Sequence, residues 1–87
     1  MILHLVNRSP LQSQALELCL RFAAEQDCLL LLEDGVLAAG ASPYLPPQRR
    51  PGRVAALRDD IDSRGLSGRL APGIEVVDYS EFVALCC

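Results

Sequence analysis

Two hydrophobic rhythms alternate along this chain. Residues 1–6 are apolar except for His4 and have the character of a short strand. From 11 to 24 the apolar positions recur at helical spacing. Leu11, Ala15, Leu18 and Phe22 form one row, with Leu16, Cys19 or Leu20, and Ala23 beside it, while Glu17, Arg21 and Glu25 take the polar side. Ser9 can cap this helix, Pro10 suits its first position, and Gln12 can reach back to the cap. The unbroken apolar run at 28–32 then fits a strand covered on both faces, closed by the turn Glu33-Asp34-Gly35.

The second half repeats the alternation in shorter units. Residues 36–41 are small and allow at most two helical turns. Residues 42–52 hold Pro43, Pro46, Pro47 and Pro51 with Arg49 and Arg50, which predicts an exposed, mobile loop. A third strand is expected at 53–57. Asp59, Asp60 and Asp62 crowd the start of a short helix, where acids meet the positive end of the dipole, and Gly65 is its expected stop. A fourth strand at 74–77 precedes Asp78 and Glu81, a cap-plus-acid pair opening a last helix at 79–85.

The order β-α-β-(α)-β-α-β-α implies an α/β fold, a small parallel sheet with helices on both faces, in a single domain spanning 1–87. One long helix and three short ones cannot cover four strands, so part of the surface must meet another chain. Composition sharpens this. Apolar residues make up 51% of the 87 and the mean hydropathy is +0.23, yet a chain this short buries only about 60–65% of its surface on folding.

Eight Arg, no Lys and eleven acids leave a net charge of −3, without the basic face that direct nucleic-acid binding needs. Arg49, Arg50 and Arg53 are the one basic cluster, either a solvated loop or a dock for an acidic partner. The N-terminus has no signal-peptide character and no apolar run approaches bilayer length, so a soluble, cytoplasmic chain without membrane contact is expected.

Candidate chemistry is sparse. No Gly-rich phosphate loop follows the first strand, and neither a cofactor nor a metal is expected: His4 is the sole histidine and no CxxC pair occurs. Cys19, Cys28, Cys86 and Cys87 are expected as thiols, Cys28 as a packed core residue. Asn7, Arg8 and Ser9 follow the first strand while Asp34 and Gly35 follow the second. A parallel sheet brings both groups to its carboxyl edge, so with His4 they form the candidate functional rim.

Two blocks in the first half carry a family likeness: Leu3-His4-Leu5-Val6-Asn7-Arg8-Ser9-Pro10, and Leu29-Leu30-Leu31-Leu32-Glu33-Asp34-Gly35-Val36 with Ala38-Ala39. Val54 to Leu57, Asp60, Ser63-Arg64-Gly65-Leu66, Ile74 to Tyr79 and Phe82-Val83 extend it. In order and spacing the chain resembles the TusB/DsrH family of sulfur-relay subunits. The resemblance implies DsrEFH-like, flavodoxin- or Rossmann-like layering. It also implies a heterohexamer with homologous TusC/DsrF-like and TusD/DsrE-like subunits, through which persulfide sulfur passes to a thiolated wobble uridine in tRNA or, in the DsrH branch, serves dissimilatory sulfur oxidation. It places the principal acceptor cysteine on a sister subunit. Cys19 matches a position where many members, especially of the DsrH branch, carry cysteine, and is the candidate catalytic residue here. The chain departs from the family in a shorter 42–52 loop and in lacking the tail that ends near a tryptophan.

A persulfide carrier needs an accessible thiolate. Cys19 lies mid-helix beside Glu17 with no adjacent base, which also suits a packed apolar side chain. The expectation is therefore a supporting subunit of a sulfurtransferase complex, not an enzyme by itself. The alternative is a DsrH-type subunit with Cys19 as persulfide carrier. A stand-alone interaction module or nucleotide binder is a third reading, against which the absent Gly-rich loop counts.

Overall fold

The computed structural model describes residues 3–11, 13–40, 45 and 50–86. Strands β1 (Leu3–Val6), β2 (Cys28–Leu31), β3 (Arg53–Leu57) and β4 (Glu75–Val77) form one sheet in that spatial order, every neighbouring pair parallel. Helix α1 (Ala15–Phe22) joins β1 to β2. A 3-10 helix (Glu33–Ala39) follows β2, α2 (Arg58–Ser63) follows β3, and α3 (Tyr79–Cys86) follows β4. The predicted alternation and fold class are observed.

The register explains which side chains form the core. His4, Leu29 and Val54 lie in one row, and Val6, Leu31, Ala56 and Val76 in the next row on the same face. A sheet that grows in one direction through right-handed crossovers puts every connection on one side. Accordingly Val6, Leu29, Leu31, Val54 and Ala56 pack against Leu16 and Leu20 of α1, Val36, Ala38 and Ala39 of the 3-10 helix, Leu45, and Ile61 of α2. The opposite face carries Leu3, Leu5, Leu30, Ala55 and Val77, and among the described elements α3 alone reaches it: Leu30, Ala55 and Val77 pack with half-buried Leu3 and Phe82. β2 is buried at every position because both layers cover it, the physical cause of its unbroken apolar run.

Several local expectations shift. The first helix begins at Ala15, not 11, because Ser9 Oγ accepts the Leu11 N–H (3.1 Å) in a separate turn and Ser13 Oγ accepts the Ala15 N–H (3.1 Å). Gln12, the proposed second half of the cap, lies outside the described residues, as do Met1 and Ile2 of the first expected strand. Of the two apolar rows, the second faces the sheet: Leu16 and Leu20 are buried, while Leu11, Leu18 and Phe22 are exposed. The segment after β2 is a 3-10 helix beginning at Glu33, earlier than expected.

Most of the proline-rich loop lies outside the described residues, but its described part is not exposed throughout. Leu45 enters the core, Pro51 is buried, and Arg50 ties the segment down by donating to the carbonyls of Leu45 (2.8 Å) and Pro72 (2.6 Å). Gly65 ends α2 with φ +65°, the left-handed stop expected of it. At α3 the cap pair is reciprocal. The Glu81 N–H donates to Asp78 Oδ1 (2.8 Å) and the Asp78 N–H to Glu81 Oε1 (3.1 Å).

Candidate functional site

At the carboxyl edge of the sheet the loops after β1 and β2 part around a cleft of about 280 Å³, lined by Asn7, Arg8, Ser9, Glu33 and Asp34. Parallel pairing of Val6 with Leu31 brings these two loops to the same edge. Their closeness depends on Gly35. A Cβ there would collide with the Val6 carbonyl oxygen, so no side chain fits between the 3-10 helix and β1. The Leu32 N–H donates to that same carbonyl (3.1 Å), closing the loop onto β1.

The acidic half of the cleft is held from behind by α2. Glu33 has φ +50°, a conformation few non-glycine residues adopt, and its N–H donates to Asp60 Oδ2 (2.7 Å). Arg64 donates to Asp34 Oδ1 through Nη2 (2.9 Å) and Nε (3.1 Å) and also meets Asp60 Oδ1 (3.4 Å). The result is a fixed turn presenting two carboxylates opposite Arg8, which forms no ion pair among the described residues. Asn7 and Arg8 are exposed, while Ser9 is buried with its hydroxyl used in its own turn. Thus Asn7, Arg8, Ser9, Asp34 and Gly35 come together as the strand order required. Glu33, Asp60 and Arg64 are members that local sequence pattern did not single out.

His4 does not join them. Its Nε2 pairs with Asp27 Oδ2 (2.9 Å) at the amino end of the sheet, and the same carboxylate oxygen accepts the Ala24 N–H (2.8 Å). This buried carboxylate fastens the turn between α1 and β2 to β1.

Cys19 lies on α1, half-buried against the first core, and burial pushes its thiol above the ordinary value of 9.0. At neutral pH such a group is overwhelmingly the thiol. Cys28 is sealed within the sheet. Burial pushes it up as well, with a smaller opposing pull from Arg53 and a small further push from Glu75. The Cys86 side chain and Cys87 lie outside what is described. The basic cluster does not form a free patch at its described members. Arg50 is bound to carbonyls, and Arg53 grips Glu75 of β4 (2.6 and 3.2 Å); Arg49 lies outside the described residues.

A four-stranded parallel sheet, sequentially ordered and layered unequally on its two faces, with a polar cleft at the carboxyl edge, defines a small α/β chain. The chain belongs to the family described as DsrH like protein, whose profile matches residues 8–87. It is 43% identical to protein TusB of Enterobacter sp. (strain 638) and 44% identical to protein TusB of Escherichia coli O1:K1 / APEC. In each case the match runs over 86 residues, 97% of this chain and 90% of the relative. Among solved structures, a Thermotoga maritima protein determined by solution NMR superposes with a TM-score of 0.75 at 29% identity, covering 99% of this chain and 91% of that one. Among the described residues no helix is long and apolar enough to cross a membrane.

Proposed function

We propose that this chain is a supporting subunit of a heterohexameric sulfur relay that passes persulfide sulfur toward thiolation of the wobble uridine of tRNA. The observation that carries this reading is the 43–44% identity to TusB proteins over 97% of the chain. Two structural features support it. Leu18 and Phe22 stand exposed on α1, as a helix does when its outer side is reserved for a TusC/DsrF-like or TusD/DsrE-like neighbour. The Cys19 thiol sits in an environment that suppresses its thiolate, which suits packing better than sulfur transfer.

In the relay a thiolate on a sister subunit attacks the outer sulfur of a donor persulfide. The donor S–S bond breaks, the donor leaves as a thiolate, and the acceptor becomes the persulfide with no net oxidation. This chain shapes the surface around that exchange, and the Asn7/Arg8/Glu33/Asp34 cleft is its polar contribution. The test is Cys19→Ser in the reconstituted complex. Assembly stays intact and sulfur flux falls by less than about threefold, about 0.6 kcal/mol of barrier. Loss of transfer from a complete assembly defeats the supporting role.

A second reading makes Cys19 itself the carrier in a DsrH-type complex for sulfur oxidation. It is favoured by the partial exposure of Cys19 and by the family's DsrH profile. A one-sulfur mass increase on Cys19 after incubation with a persulfide donor selects this alternative.

A further inference from the structure

The carboxyl-edge cleft holds charges of both signs that do not meet. Arg8 comes from the loop after β1 and Glu33 from the turn after β2, and both line the same cavity of about 280 Å³. Neither side chain forms an ion pair among the described residues, and the Asn7 carboxamide beside them has no hydrogen bond there either. The remaining lining groups are already engaged in part. Ser9 Oγ accepts the Leu11 N–H (3.1 Å), and Asp34 receives Arg64 on Oδ1 (2.9 and 3.1 Å). What is left to bind is a guanidinium and a carboxamide on one wall, and on the other the Glu33 carboxylate with Asp34 Oδ2.

The backbone of the acidic wall cannot swing across to close the gap. Gly35 seats the 3-10 helix against the Val6 carbonyl, to which the Leu32 N–H also donates (3.1 Å). Asp60 Oδ2 accepts the Glu33 N–H (2.7 Å), and Arg64 spans Asp34 and Asp60. Glu33 is thereby held at φ +50°, a costly conformation for a residue with a side chain, which persists only where its surroundings enforce it.

Charge selects the ligand. A phosphate or another simple anion would meet Glu33 and Asp34, and a simple cation would meet Arg8, each a like-charge contact at short range. A molecule with an ammonium and a carboxylate a few ångströms apart meets neither obstacle. Size sets the limit. The cavity of about 280 Å³ equals about nine water volumes, room for a free amino acid and at the lower bound of pockets for drug-sized ligands. We propose that this cleft binds the zwitterionic head group of a free α-amino acid. The ammonium donates to Glu33 and Asp34 Oδ2, and the carboxylate accepts from the Arg8 guanidinium, whose planar fork suits it, and from the Asn7 carboxamide. Asn7, Arg8, Glu33 and Asp34 are all exposed, so the ligand's side chain leaves through the open side of the cleft and the site reads the head group, not the residue type. No thiol takes part, and the inference stands independently of the sulfur-relay reading.

Titration of the isotope-labelled full chain with glycine, followed through its amide chemical shifts, tests the proposal. Exposed charge pairs are individually weak, so the expected Kd is on the order of 1 mM, with shifts centred on Asn7, Arg8, Glu33 and Asp34. Glycinamide, which lacks the carboxylate, and N-acetylglycine, which lacks the ammonium, each bind at least about fivefold more weakly than glycine. Arg8→Gln and, separately, Glu33→Gln each weaken glycine binding by at least about fivefold, while the rest of the spectrum reports an unchanged fold. A titration that stays flat to about 50 mM glycine overturns the proposal. So does equal binding of glycine and either half-ligand, which reduces the cleft to a site for a single charge, and so does binding that both substitutions leave unchanged.

Discussion

α1 and α3 are equally long, eight residues each, yet they stand in opposite relations to the sheet. α1 separates its sides. Leu16 and Leu20 are buried, and Glu17 and Arg21 face water as an i,i+4 ion pair at 3.6 Å. It belongs to a layer of three helical segments that closes the larger core. α3 has no comparable separation and closes a much smaller core. The contrast locates the surplus of apolar surface that the composition announces. Among the described residues it is concentrated on the α3 side and on the outward row that includes Leu11, Leu18 and Phe22.

The largest effect should come from the closed side. Gly35→Ala forces a Cβ onto the Val6 backbone carbonyl, a clash that no rotamer relieves, and costs at least about 3 kcal/mol or prevents folding. Urea unfolding measures it, and a loss below about 1 kcal/mol would show that the 3-10 helix can back away from β1. Next is a paired comparison of the two cores. Leu31→Ala should cost about 3 kcal/mol, and Phe82→Ala, a larger truncation at a half-buried site, only about 1–2 kcal/mol in the isolated chain at high dilution. Equal costs would erase the distinction between a closed and an open face.

Asp78→Ala removes the cap of the less supported helix. It should cost about 1 kcal/mol and raise amide exchange in α3 while leaving α1 unchanged, because the Glu81 N–H loses its acceptor. The smallest effect is alkaline. Folded Cys19 and Cys28 hold their protons above the ordinary 9.0, so the stability each contributes is fully present below that pH. Above it the unfolded chain ionises first, and the contribution is lost as pH rises through the folded values. Melting temperature should therefore fall as pH rises past 9, less steeply in Cys19→Ala; an unchanged slope would place Cys19 in water.

How much of this was legible in the sequence depends on the range of the interaction. The elements follow local pattern, and β3, α2 and α3 fall within a residue or two of their expected places. The carboxyl-edge rim was legible because parallel order sends Asn7–Ser9 and Asp34–Gly35 to one edge whatever else happens. What failed was longer in reach or finely balanced. The two rows of α1 are both apolar, and only the docked helix decides that Leu16 and Leu20, not Leu18 and Phe22, face inward. Asp60 and Arg64 support Glu33 and Asp34 from 27 and 30 residues away, and His4 finds Asp27 across 23, separations to which no helical or strand period corresponds. Leu45 is one apolar residue among prolines, too little signal to predict an anchor. The ligand rule for open α/β sheets also applies only loosely here. The strand order never reverses, so the cleft arises from two diverging loops and not from a topological switch point.

The proposed supporting role makes this chain one subunit of a mixed assembly. Native mass spectrometry after co-expression with a TusC/DsrF-like and a TusD/DsrE-like subunit decides it: particles holding two copies of each chain bear the role out, whereas recovery of this chain apart from both companions, at its own 9.4 kDa or as a self-pair that neither joins, defeats it.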